Sequence, residues 1–87
     1  MGLFMVSYDL IKNKDYKKLL TEIGRMNSRK ALASLYLMNV DGTGKDLKDH
    51  LAQYIDDDDK LMVIEFTKRP NFTKANDGTN KWLDENL

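Results

Sequence analysis

The chain has 87 residues, 41% hydrophobic and 32% charged, with 14 basic and 14 acidic side chains and no cysteine. That length suits one small domain, which buries only roughly 60–65% of its unfolded surface, so a partner would add stability. Zero formal net charge excludes a global pull toward nucleic acid or membrane, and the missing thiols exclude a disulfide scaffold and every thiolate metal site.

Residues 3 to 8, LFMVSY, are apolar on both parities apart from Ser7, the pattern of a central strand covered on both faces. Asp9 stands at its end. Asn13 or Asp15 can open a helix with an apolar stripe of Tyr16, Leu19, Leu20, Ile23 and Met26; Lys14, Lys17, Lys18, Glu22 and Arg25 are assigned to its polar side. The run KALASLYLMNV, residues 30–40, is too long for one average strand and reads as two, turned near Ala33-Ser34. DGTG is a loop. Thr43, with Asp46 three residues later, resembles a capping box ahead of the stripe Leu47, Leu51, Tyr54 and Ile55. DDDDK ends that helix, LMVIEF is a buried strand, and Pro70 stops it. Residues 68–78 read as a polar loop, and Thr79 as the cap of a last helix carrying Trp82, Leu83 and Leu87.

This order predicts an α+β fold, a ferredoxin-like βαββαβ sandwich with a short C-terminal helix. One domain spans 1–87, its core 3–66 and its C-terminal loop and helix 67–87. Strand alternation assigns Phe4, Val6, Tyr8, Tyr36, Met38, Val40, Met62, Ile64 and Phe66 to the helix-covered face. The other face then carries Leu3, Met5, Ser7, Leu35, Leu37, Asn39, Leu61, Val63 and Glu65. So much apolar surface predicts either a homodimer or a C-terminal segment folded across, with Trp82 as its plug.

Asp9 is the main chemical candidate. One carboxylate holds a hard divalent ion poorly; a twofold axis would supply a second, and Mg²⁺ between the pair could activate water against a phosphodiester. The plainer reading is a turn-capping acid. Asp56 to Asp59 suit a cation or a basic protein partner, but acids in an extended loop do not converge, and a solvated turn is the simpler account. Lys12, Lys14, Lys17, Lys18, Arg25, Arg29, Lys30, Lys68 and Arg69 are basic residues that could track a phosphate backbone or serve as ordinary solubilising surface. His50, the single histidine, reads as a half-exposed helix residue without an acid partner. No apolar run approaches the length of a membrane span. The opening MGLFMVSYDL lacks the basic region and cleavage site of a signal peptide, so a cytoplasmic location is expected.

LFMVSYDL followed by a helix, RKALASLYLMNV, and DLKDHLAQYIDDDDKLMVIEF together resemble the CRISPR-associated Cas-two family over roughly residues 3 to 66. The match also extends in flavour to small stand-alone SinR-like proteins of bacteria and phages, whose Trp-containing end NKWLDENL resembles, and to virulence-associated D ribonucleases. The resemblance implies a homodimer with Asp9 as catalytic and metal-linked residue at its axis and Ser7 in support. Lys12, Lys14, Arg29 and Lys30 would contact nucleic acid, and the activity would be metal-dependent cleavage of RNA or DNA, or a structural role beside an integrase. Leu32 and Leu37 depart from the Gln and Glu frequent in the family. A binding protein of phage or bacterial origin, such as an inhibitor of a nucleic-acid-handling enzyme, is the other expectation.

Overall fold

The computed structural model of the protein describes residues 2–9 and 16–87. The sequence-predicted helix start at Asn13 or Asp15 lies outside the described residues, as do Lys12 and Lys14. The elements are β1 (Gly2–Asp9), α1 (Lys17–Arg25), β2 (Ser28–Leu32), β3 (Leu35–Val40), α2 (Gly44–Ala52), β4 (Lys60–Phe66) and α3 (Thr79–Asn86). Among the described residues this is a small α+β fold: one four-stranded sheet, ordered β2-β3-β1-β4 and antiparallel throughout, with three helices. Among the described residues, no helix is long and apolar enough to cross a membrane.

The predicted break at Ala33-Ser34 is real: β2 and β3 form an antiparallel pair around it, and Tyr8 N donates to Ser34 O at 3.3 Å. The capping box also forms. Asp46 N donates to Thr43 Oγ1, and Thr43 N donates back to the Asp46 carboxylate. These bonds satisfy amides that the first turn of α2 cannot pair internally.

One face of the sheet packs against α1 and α2. Phe4, Val6, Tyr8 and Met38 meet Leu19, Ile23, Leu47 and Leu51 in the larger core. The opposite face carries a smaller cluster, in which Ala31 and Leu37 lie beneath Trp82 and Leu83 of α3, flanked by Leu3, Met5, Leu35 and Phe66. The C-terminal segment therefore roofs part of the second face, with Trp82 as its plug.

Polar bonds fasten the roof. Trp82 Nε1 donates to Asn27 Oδ1 at 3.0 Å, and Asn27 and Asn39 both donate to Asn86 Oδ1 at 2.9 and 2.8 Å. Arg69 Nη1 reaches Asp84 at 2.9 Å. The helix starts from Gly78, whose φ of 90° suits a residue without Cβ. Thr79 is not the cap, as its sequence position suggested. It is the first helical residue, buried, with its hydroxyl donating to Asn76 O.

Two side assignments change. Leu61 and Val63 of β4 pack into the α1/α2 core, while Met62, Ile64 and Phe66, assigned to the helix-covered face, lie on the second face, opposite Ser7, Met5 and Leu3 in the ladder. LMVIEF is apolar on both parities, so its pattern held no information about which side turns inward. Glu22 was assigned to the polar side of α1, yet it is buried. It follows Leu19 by three positions, so the helical period itself places the two on one side.

Candidate functional site

The second face is uneven. Under α3 it is closed, and toward β4 it is open: Met62 is 73% exposed and Ile64 61%. The alternation of β1 puts Ser7 and Asp9 on this same open side, both exposed. Ladder pairing sets Ser7 opposite Met62 and Asp9 opposite Lys60. Ser7, Asp9, Asp59, Lys60 and Met62 surround one shallow hollow at this end of the sheet. The parity expected of Asp9 thus agrees with the structure, and the roof leaves it uncovered.

A hard divalent ion takes about six oxygen ligands. Within one chain Asp9 offers one carboxylate with the Ser7 hydroxyl two residues back, and a cationic side chain, Lys60, faces it across the ladder. The described residues of a single chain do not make a divalent site at Asp9.

The acidic turn behaves differently from its sequence reading. It curls: Asp59 N donates to Asp56 O at 3.1 Å, and Asp56 N donates to the Asp59 carboxylate at 2.9 Å. Carboxylate oxygens of Asp56, Asp58 and Asp59 come within 4.8 Å of one another. Such a triad could hold a cation, and nothing in its geometry selects magnesium. The signal missed in the sequence is the turn itself, since four adjacent acids converge only when the backbone folds back on them.

Of the residues predicted to contact nucleic acid, the two among the described residues do not gather. Arg29 and Lys30 are adjacent on β2 and exposed, so their side chains leave opposite faces of the sheet. Arg29 stands on the roofed face with its guanidinium against Gly78, whereas Lys30 lies opposite Tyr36 on the helix side. They do not form one phosphate-contacting surface.

His50 does have an acid partner. Its Nε2 lies 2.5 Å from Glu22 Oε2, and Arg25 grips the same carboxylate through two bonds of 2.9 and 2.7 Å. The Arg25 hydrogen bond first, and the His50 bond after it, hold the Glu22 carboxyl down at about 2. This cluster ties α1 to α2 on the side away from Asp9. Separately, an apolar groove of about 190 Å³ opens between the roofed face and the C-terminal loop, lined by Met5, Leu32, Leu35, Leu37 and Phe72 among others. Leu32 and Phe72 stand exposed at it.

No protein-family model matches the chain, and no solved structure matches it.

Proposed function

We propose that the chain is a Cas-two-like module of ferredoxin-like fold that works as a homodimer and engages a protein partner by binding. The strand order β2-β3-β1-β4, with α1 and α2 as crossovers on one face, supports the ferredoxin-like reading. The Tyr8-Asp9 end of β1 supports the family resemblance. The observation that carries the functional reading is the contrast across the second face. Met62 and Ile64 face water beside a surface that the chain has otherwise closed with α3. Contiguous exposed apolar side chains beside a finished core mark an association surface. The apolar groove by Leu32 and Phe72 suits a protein side chain better than a phosphate backbone. A cytoplasmic setting belongs to this reading, since a thiol-free chain has no need of an oxidising compartment.

A second reading is a metal-dependent nuclease on RNA or DNA, in which a second copy brings its own Asp9 to the first. Asp9 and Ser7 standing open beside Met62 favour it. The two are separated by sedimentation of the wild-type chain over a range of concentrations, alongside a cleavage assay with Mg²⁺ or Mn²⁺. Binding through a homodimer predicts reversible dimerisation, weakened by Ile64→Lys, and no divalent-dependent cleavage. Cleavage that disappears in Asp9→Ala would replace the first reading with the second. A chain that stays monomeric at every concentration would remove both.

A further inference from the structure

The two edges of the sheet are treated differently. At β2 the ladder shifts between Lys30 and Leu32, and the C-terminal loop covers the edge: Asn76 N donates to Ala31 O at 2.8 Å and Asn76 Nδ2 to Lys30 O. Breaks and covers of this kind stop one sheet from pairing with another. Among the described residues, β4, the opposite edge, has neither. It pairs with β1 continuously from Lys60 to Phe66 and contains no proline. Among the described residues, no backbone hydrogen bond from outside the sheet reaches it.

The residues flanking β4 say what would pair there. Asp56 to Asp59 precede it, and Lys68 and Arg69 follow it. An antiparallel copy of the same strand brings the acidic end of one beside the basic end of the other, twice. A parallel copy would set acid beside acid.

Strand length selects the register. β4 has seven residues, Lys60–Phe66, so a twofold axis at Val63 pairs all of them with the second copy, whereas an axis at Met62 or Ile64 leaves one end of each strand unpaired. With the axis at Val63, Met62 faces Ile64 of the second copy in two equivalent pairs.

We infer that the uncovered edge of β4 is the homodimer contact, with β4 pairing antiparallel to β4 of a second copy about Val63 to make one continuous eight-stranded sheet. The inference rests on the homodimer reading above and specifies its geometry. It puts Met62 and Ile64 against their counterparts and leaves the groove by Leu32 and Phe72 open on each outer side. It also sends the two Asp9 residues to opposite ends of the dimer. They stand about 20 Å apart along the strands and about 14 Å across them, so they share no ion.

The chain has no cysteine, so single cysteines report without background. Val63 points to the α1/α2 side, and only edge pairing about that residue brings two copies of it together. Opposed Cα atoms in an antiparallel pair lie about 4.5–5.5 Å apart, within the range a disulfide spans. Under mild oxidation Val63→Cys is expected to give a covalent dimer, and Ile64→Cys is expected to give far less. A dimer that links through Ile64→Cys and not through Val63→Cys overturns pairing about Val63 while keeping the homodimer. Absence of any dimer in the wild-type chain overturns both.

Discussion

Leu83→Ala probes whether the roof over the second face is a separable part of the fold. Leu83 is fully buried on a helix of eight residues, too short to persist in water without its packing. Deleting a buried leucine side chain to alanine costs about 2–5 kcal/mol. Stability for a chain this long is on the order of 4–13 kcal/mol, so the loss is a large share of the whole. The cost reaches the sheet only as far as α3 stays attached, because release of the helix removes the cavity and caps the penalty. The larger core contains no residue of α3, so it survives release. Trp82 is the only tryptophan in the chain, and at 5% exposure it reports directly on the roof. In urea, Leu83→Ala is expected to shift Trp82 emission to the red at lower denaturant than the loss of sheet signal in circular dichroism. In the wild-type chain the two transitions should lie closer together. A midpoint displaced by less than the equivalent of about 1 kcal/mol, with emission still blue, would refute the reasoning.

Acid should weaken the tie between α1 and α2. The Glu22 carboxyl, ordinarily near 4.5, is held at about 2 by Arg25 and His50; a carboxyl lowered on folding stabilises above its unfolded value and loses that contribution as pH falls toward the folded one. The stability difference between wild type and Glu22→Gln should therefore shrink as pH drops from 4.5 to about 2, measured by urea titration. Taking the difference removes the similar trend from Asp49, which its Lys45 and Lys48 bonds also lower to about 2. Thr43→Ala, which deletes the acceptor for Asp46 N, should cost about 1 kcal/mol in the same assay. Gly78→Ala puts a Cβ at a positive φ and 3.1 Å from the Arg29 guanidinium; it should cost about 1–2 kcal/mol and lower the Tm of the Trp82 signal first.

The element order was legible from end to end because it rests on local signals. Thr43 and Asp46 cap a helix through bonds three residues apart, and Leu19 and Ile23 share a stripe because of helical period alone. β1 was equally readable. Its alternation correctly sent Phe4, Val6 and Tyr8 to the larger core, and Ser7 and Asp9 to the other side. β4 was not readable in this way: Leu61, Met62, Val63 and Ile64 are all apolar, and a strand that is apolar on both parities can turn either face inward. Only the ladder with β1, which sets Met5 opposite Ile64, decided that Met62 and Ile64 would stand in water.

The same division runs through the candidate site. Sequence by itself marked Asp9 as the acid at the tip of a strand, Trp82 as a plug, and the acidic and basic flanks of LMVIEF. Tertiary structure alone decided that the tail roofs part of the second face and leaves Met62 and Ile64 of β4 open. It also decided that Asp56, Asp58 and Asp59 curl together, that Glu22 meets His50 across 28 positions of sequence, and that Arg29 and Lys30 part to opposite faces. The physical reason is range. Caps, periods and parities act within a few residues and leave a trace in their order, whereas a roof, a sheet edge and a cross-helix hydrogen bond depend on which distant segments pack side by side.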